Sequence, residues 1–150
     1  MTTLTATRRT VLAAALAACL ALPAKADATR PVVVELFTSQ GCSSCPPADA
    51  LMAEIAKRPD VIALSFNVDY WDYIGWKDNL ARPEFGLRAR AYVDRLKLQS
   101  PYTPQMIVDG LIDVAGNNRG KVTGVVEKQA NAPRNGVAVT IARSGGNLGV

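Results

Sequence analysis

Apolar residues along the chain alternate between short continuous runs and stripes with helical spacing. The runs at residues 31–37 and 61–68 are rich in β-branched side chains and bounded by turn formers, which predicts two buried strands. Between them a helix is predicted to begin at Cys45, because the two prolines that follow are tolerated only in a first turn. This helix ends before Pro59. A strand, a helix and a strand in this order predict a parallel pair with a right-handed crossover.

The second half of the chain adds a helix, a hairpin and a last helix. Residues 83–98 have apolar positions at helical spacing with Arg and Lys between them, which predicts an amphipathic helix. Asp109-Gly110 separates two apolar runs and is a strong signal for a β-hairpin. An asparagine, Asn117 or Asn118, is a suitable cap for the last helix. The alternating segment at residues 137–141 then predicts one more strand.

The predicted order β–α–β–α–β–β–α is that of the thioredoxin fold, an α/β fold with a central mixed sheet flanked by helices. We therefore divide the chain into a leader at residues 1–26, a thioredoxin-like domain at residues 27–132, and the start of a C-terminal β segment at residues 133–150. A single terminal strand has no partner of its own. We expect the sequence to be truncated inside a second β-rich unit.

The first 26 residues are predicted to be a signal peptide. Arg8-Arg9 precedes an apolar run at residues 11–22, which is shorter than the roughly 20 residues that a membrane-spanning helix needs. Ala24-Lys25-Ala26 offers the small-x-small site of a signal peptidase, so we expect a periplasmic or secreted mature chain that begins near Asp27. Two alternatives stay open, namely export by a twin-arginine route and a lipid anchor at Cys19.

The formal net charge of +4 comes largely from this leader. Three of the 17 Lys and Arg residues lie in it and no Asp or Glu does, so the rest of the chain has 14 basic and 13 acidic residues, a net charge of +1. This balance does not support a nucleic-acid-binding surface. The chain also has no His, which excludes Ser–His and Cys–His nucleophile pairs and histidine-ligated metal sites.

Cleavage after Ala26 leaves two cysteines, Cys42 and Cys45, which are expected to form a disulfide in an oxidising compartment. A helix start favours the thiolate of Cys42, because unpaired N–H groups and the helix dipole stabilise negative charge. Cys42 is therefore the predicted exposed, attacking sulfur, and Cys45, one turn further, the resolving sulfur. A C-x-x-C pair is also half of a zinc site, but no further Cys or His completes it. We predict no metal or other cofactor.

Pro104 and Glu35 are the other candidate catalytic residues. Thr103-Pro104 precedes the third strand, where thioredoxin-like folds have a cis-proline that faces the C-x-x-C pair, and where the backbone just before it pairs with bound peptide. A trans turn proline is the alternative. Glu35 interrupts the first strand, where thioredoxins have a buried acid that relays protons to the resolving cysteine. It alternatively points to solvent or pairs with a lysine.

The segment at residues 69–78 is dense in aromatic and acidic side chains. It follows the second strand and should lie at the same edge of the sheet as the cysteines. Trp71 and Trp76 either line a groove for the apolar side chains of a substrate or simply cover the core.

Three stretches of sequence carry a family resemblance: VELFTSQGCSSCPPAD at residues 34–49, VDYWD with GWKD within residues 68–78, and YTPQ at residues 102–105. Over about residues 30–130 the chain is similar to secreted bacterial thioredoxin-like proteins of the domain of unknown function DUF1223. The resemblance implies a thioredoxin-like domain, a redox pair at Cys42 and Cys45, and further β-structure. It implies no particular substrate. A histidine often precedes Val68-Asp69 in this family, and this chain has Asn67 there.

Two functions compete on this reading. The first is an exported thiol–disulfide oxidoreductase that acts on thiols or disulfides of envelope proteins, together with an unknown redox partner. The alternative is a non-catalytic binding module with a structural Cys42–Cys45 disulfide. A disulfide that closes so short a ring gains little chain entropy, and a helix start favours reactivity, so we favour the oxidoreductase. Pairs of this kind span roughly −270 to −120 mV, a range that includes both reductants and oxidants of proteins.

Overall fold

The computed structural model of the protein describes residues 30–133, 142–144 and 147–149. The predicted signal peptide, with Cys19 and the cleavage site at Ala26, and the predicted strand at residues 137–141 lie outside the described residues. Within the described part of the chain, no helix is both long enough and apolar enough to cross a membrane.

A four-stranded mixed sheet forms the centre of the fold. The strands lie in the order β2-β1-β3-β4, where β1 and β2 are parallel, β3 is antiparallel to β1 and β4 is antiparallel to β3. The strands are β1 (Val32–Thr38), β2 (Val61–Asn67), β3 (Gln105–Val108) and β4 (Ile112–Ala115). A separate antiparallel pair consists of β5 (Ala142–Ser144) and β6 (Asn147–Gly149).

Three helices cover the two faces of the sheet. They are α1 (Pro46–Ile55), α2 (Pro83–Leu96) and α3 (Arg119–Ala130). Val34 and Leu36 of β1 belong to the buried cluster formed with α1 and α3, whereas Phe37 belongs to the cluster formed with α2. Alternate side chains of a strand point to opposite faces, so the even positions of β1 face α1 and the odd positions face α2. This architecture confirms the predicted α/β class and is consistent with a thioredoxin-like fold.

The second strand is not buried as its apolar run predicted. The side chains of Ile62 and Leu64 are 45% and 39% exposed. The strand order places β2 at an edge of the sheet, and α2 covers only its C-terminal part, where Phe66 packs. An apolar run indicates a strand, but the arrangement of the other strands decides whether that strand lies inside the sheet.

Local signals account for the ends of several elements. Pro46 and Pro83 open α1 and α2 in the first turn, where a missing N–H costs nothing. Asn118, rather than its neighbour, caps α3 and accepts a hydrogen bond from the Lys121 N–H at 3.1 Å. Asp109 and Gly110 both have positive φ, 53° and 68°, as a tight hairpin turn requires.

Candidate functional site

The Cys42–Cys45 disulfide lies at the start of α1, and the two Cα atoms are 5.4 Å apart. The turn that holds it is short: Cys42 N–H donates to the Ser39 carbonyl and Cys45 N–H to the Cys42 carbonyl, both at 3.1 Å. Cys45 is the N-cap residue of α1, and its carbonyl accepts from Ala48 N–H at 2.8 Å. The predicted disulfide is therefore confirmed. Pro46 and Pro47 have no N–H, and the N–H groups of Ala48 and Asp49 donate to the Cys45 carbonyl. The helix dipole, rather than unpaired N–H groups, is therefore what favours negative charge at this position.

Cys42 is not exposed, contrary to the prediction. In the disulfide form 3% of Cys42 and none of Cys45 is exposed. The preceding residue, Gly41, packs tightly under the loop that follows β2. A Cβ at Gly41 would lie 3.2 Å from Trp71 Cβ and 3.3 Å from Ile74 Cδ1. We call this loop the aromatic loop and define it as residues 69–78.

Ser44 places a hydroxyl beside the outer sulfur, with Oγ 3.5 Å from Cys42 Sγ. A disulfide sulfur carries no hydrogen, so the Ser44 hydroxyl is the donor in this contact. The same hydroxyl would serve a Cys42 thiolate better, because hydrogen bonds to charged acceptors are the stronger kind. The C-x-x-C spacing singled out the cysteines but not this intervening serine.

The Thr103–Pro104 peptide bond is cis, as predicted. Pro104 is buried and lies beside the first turn of α1, with Gly116 between the two. A Cβ at Gly116 would lie 3.1 Å from Ala48 Cβ and 3.2 Å from Pro104 Cβ. The Pro104 carbonyl also accepts from Gly116 N–H at 2.8 Å. The structure thus brings Pro104 next to the helix that begins at the cysteines.

Trp71 joins the loops on either side of the disulfide. Its indole N–H donates to Thr103 Oγ1 at 2.7 Å, while its Cβ packs against Gly41. Trp76 also reaches the cysteine loop, which comprises residues 39–45 between β1 and α1, because its indole N–H donates to Gln40 Oε1 at 2.9 Å. Trp71 packs against the buried cluster under α2, whereas Trp76 is 60% exposed. Trp71 therefore covers the core, whereas Trp76 presents an apolar surface to solvent.

Asp78 fastens the cysteine loop to the aromatic loop, a role that sequence reasoning missed. One carboxylate oxygen accepts from Gln40 N–H and from Asn67 Nδ2, both at 2.8 Å, and the other accepts from Leu80 N–H at 2.9 Å. Burial alone would raise the pKa of Asp78, but hydrogen bonds from these groups outweigh it and hold the pKa below its usual value. Asn67, at the position where the family often has His, is thus one of the donors that hold Asp78.

Glu35 is not at the cysteine pair, and the structure corrects the predicted proton relay. Its buried carboxylate accepts from Arg88 at 2.5 and 2.8 Å and from the Tyr92 hydroxyl at 2.7 Å. Both partners belong to α2. As an odd position of β1, Glu35 faces α2, on the opposite side of the sheet from α1. It therefore holds α2 onto the sheet, and its partner is an arginine rather than solvent or a lysine.

Metal ligands are not assembled at this site. Among the residues that the structure describes, no group of three or more His, Cys, Asp or Glu side chains could hold a metal ion.

Comparisons with known proteins agree with the architecture. Residues 33–150 match the sequence model of a family described as a protein of unknown function, DUF1223. The X-ray crystal structure of a protein from Agrobacterium tumefaciens is similar with a TM-score of 0.62 and 42% sequence identity. The match covers 66% of this chain and 45% of that protein, so the chain spans less than half of its length. No curated protein matches the chain.

Proposed function

Because this chain belongs to the DUF1223 family, whose function is unknown, we propose an activity from the site itself. The protein is a thiol–disulfide oxidoreductase that acts on protein thiols or disulfides through Cys42 and Cys45. The observation that carries the proposal is the position of the disulfide. It closes at the first residues of α1, and the residue before it, Gly41, packs against Trp71, which is tied to the cis Thr103–Pro104 segment.

The chemistry is an exchange of two electrons between the cysteine pair and a client. In the reduced protein, the Cys42 thiolate attacks a client disulfide, and one client sulfur leaves as a thiolate. Cys45 then attacks Cys42, the bond between Cys42 and the client breaks, and the second client thiolate leaves. The protein ends oxidised and the client reduced, and the reverse sequence oxidises a client dithiol. A dithiol or disulfide partner restores the starting state.

Client binding is supported by the surfaces beside the sulfurs. Thr103 lies before β3 and outside its ladder, which begins at Gln105, so its backbone is suited to pairing with an extended peptide. Trp76 and Tyr73, which are 60% and 82% exposed, add apolar surface on the other side of the cysteine loop. An extended segment of a partly unfolded protein fits these two features together, since it offers both a backbone and apolar side chains.

The test is reduction of insulin disulfides by the mature protein with dithiothreitol as electron donor. We expect accelerated precipitation of the insulin B chain, and no acceleration with Cys42→Ser. Cys45→Ser should accumulate client proteins in mixed disulfides at Cys42, because the resolving thiol is missing. Trapping by Cys42→Ser instead would reverse the roles of the two cysteines, and an inactive wild-type protein would contradict the proposal.

One observation favours the alternative, a binding module with a structural disulfide. Both cysteines are almost fully buried in the disulfide form, and a buried sulfur is protected from attack. The two functions differ in their kinetics. A structural disulfide would be reduced slowly by dithiothreitol and would lower the unfolding temperature when lost, without turnover of insulin.

We also propose that the protein acts in the periplasm or outside the cell, after cleavage near Ala26. The arrangement of Arg8-Arg9, the apolar run and Ala24-Lys25-Ala26 supports this, and an oxidising compartment suits the disulfide. Mass spectrometry of protein from the envelope fraction should show an unmodified N-terminus near Asp27. A diacylglycerol group on Cys19 would show a lipoprotein instead.

A further inference from the structure

The resolving step needs a group that takes the proton of the Cys45 thiol, because the thiolate is the attacking species. Glu35 is held by Arg88 and Tyr92 on the α2 side of the sheet. Two acids belong to α1, and of these Glu54 is paired with Arg119, whereas Asp49 lies near Cys45. It lies four residues after Cys45 in the first turns of α1, and its N–H donates to the Cys45 carbonyl at 3.1 Å. Residues four apart on a helix share one face, with Cβ atoms about 5–6 Å apart.

The surroundings of Asp49 raise its pKa, which makes its carboxylate a better proton acceptor. Asp49 is exposed, yet desolvation by the neighbouring elements raises its pKa. The nearby Thr38 hydroxyl, which makes no hydrogen bond of its own, lowers this pKa and the carboxylate of Asp78 raises it, with a net upward shift. Thr38 is an even position of β1, faces α1 and is 4% exposed. Across from Asp49 on β2, the neighbouring side chains are the uncharged Ala63 and Ser65. Asp78 is therefore the charged group that acts on Asp49 from the elements packed against it.

A route for the proton to solvent lies on the same side of α1. Asp49 lines a cavity of about 280 Å³ between α1 and β2, together with Met52, Ala63 and Ser65. A cavity of this size with a carboxylate and a hydroxyl in its wall is large enough and polar enough for water. At the i, i+4 spacing of the two residues, one water can join the Asp49 carboxylate to the Cys45 thiol, which is the arrangement that a general base needs.

We propose that Asp49 accepts the proton of the Cys45 thiol in the resolving step, a role that rests on the proposed function. The Cys45 S–H bond breaks and the proton passes to the Asp49 carboxylate. The Cys45 thiolate then forms the bond to Cys42, and the client sulfur leaves with the electron pair of the bond that breaks. The proton passes from Asp49 to solvent or to the departing thiolate. In the reverse reaction Asp49 returns the proton to Cys45.

A carboxyl group whose pKa is raised in the folded state lowers the stability of the protein when it is ionised. A stability measurement can therefore distinguish a chemical role of Asp49 from a structural role. The folded state binds the proton of Asp49 more tightly than the unfolded state does, because the pKa of folded Asp49 is raised. The protein therefore loses stability as the pH rises from about 4, the pKa of an unfolded Asp, through the higher pKa of the folded state. At neutral pH the ionised Asp49 is therefore destabilising. Asp49→Asn should keep or raise the unfolding temperature at about pH 7, and it should still slow the resolving step.

The experiment uses oxidised glutathione instead of a protein client. The reduced protein is mixed with it, quenched with acid at successive times and analysed by mass spectrometry, which separates the Cys42–glutathione mixed disulfide from the final Cys42–Cys45 disulfide. An ordinary thiol with pKa about 8.5 is only about 3% ionised at pH 7. Loss of its base should therefore slow resolution by about tenfold or more at that pH. Near pH 9.5 the variant should approach the wild-type rate.

Asp94→Asn, the same change on the exposed side of α2, is the matched control and should leave the profile unchanged. Asp49→Asn with a wild-type rate and pH profile, or slowed equally at every pH, would overturn the role of Asp49 while leaving the proposed function intact. A reduced wild-type protein that forms neither the mixed disulfide nor the Cys42–Cys45 disulfide with oxidised glutathione would overturn both proposals.

Discussion

Single polar side chains serve two separate purposes around this sheet. Glu35 is fully paired with Arg88 and Tyr92, so its charge is neutralised within the packing of α2. Arg88 also lies over the rings of Phe66 and Tyr92, 5.4 and 5.7 Å from their centroids. On the other side of the sheet, Ser44 and Asp49 lie within a few residues of the sulfurs. Glu35 and its partners stabilise the fold, whereas Ser44 and Asp49 are placed to take part in disulfide exchange.

Arg88→Ala should be costly because it leaves the Glu35 carboxylate buried without its cation. Removing one partner of a fully buried pair costs about 3–5 kcal/mol, but the Arg88 side chain is 46% exposed, so we expect about 2 kcal/mol in the free energy of unfolding. The control is Arg58→Ala, which breaks the solvent-exposed Arg58–Asp60 pair and should cost clearly less stability than Arg88→Ala, because water screens an exposed pair. Urea unfolding measures both, and equal losses would contradict this assignment.

At the scale of elements, small residues set how closely the loops of the site approach the first helix. Gly41 lets the cysteine loop pass under Trp71, and Gly116 lets the end of β4 pack between Ala48 and Pro104. Gly124 in α3 is different, because a Cβ there would have nothing within 4 Å. Glycine is needed at the first two positions because space is missing, whereas at Gly124 it only weakens a helix.

The same substitution should therefore have opposite effects at two glycines. Gly116→Ala should destabilise the protein by about 1–3 kcal/mol through overpacking and slow insulin reduction, because Pro104 and the first turn of α1 are pushed apart. Gly124→Ala should stabilise it by about 0.5–1 kcal/mol and leave the reduction rate unchanged. Denaturant unfolding and the insulin assay provide both readouts. A Gly116→Ala variant that is as stable as the wild type, or more stable, would show that space at Gly116 is not limiting.

At the scale of the whole molecule, three distant segments meet because of the direction of the strands. The parallel strands β1 and β2 end at the same edge of the sheet, and the antiparallel β3 begins there. The cysteine loop, the aromatic loop and the Thr103–Pro104 segment are therefore neighbours. Hydrogen bonds from Trp71 to Thr103 and from Gln40 to Asp78 hold them together.

Asp78 should make this assembly sensitive to acid. Since its pKa is lowered in the folded state, its contribution to stability is present above the unfolded value of about 3.9 and is lost as pH falls through the lower folded value. Asp78→Asn should lower the unfolding temperature at about pH 7, and the wild-type and variant temperatures should converge as the pH falls below about 4. Calorimetry across this range checks it, and a constant difference at all pH values would contradict it.

Local sequence determined most of the elements and two features of the site. The apolar periodicities, the prolines of the first helical turns and Asp109-Gly110 act over a few residues, so the helices and the hairpin were predictable from them. The spacing of Cys42 and Cys45 and the placement of Pro104 before β3 likewise predicted the disulfide and the cis bond, both of which the structure has.

Only the tertiary structure decided which face each residue occupies and what covers it. Glu35 and Leu36 are adjacent in sequence but lie on opposite faces of the sheet. One position along β1 therefore decides whether a side chain faces α1, which begins at the cysteines, or α2. The exposure of β2, the burial of Cys42 and the hydrogen bonds of Asp78 depend on strand order and on loops that are far apart in the chain. Such contacts leave no periodic signal, because the residues that make them are brought together only when the sheet assembles.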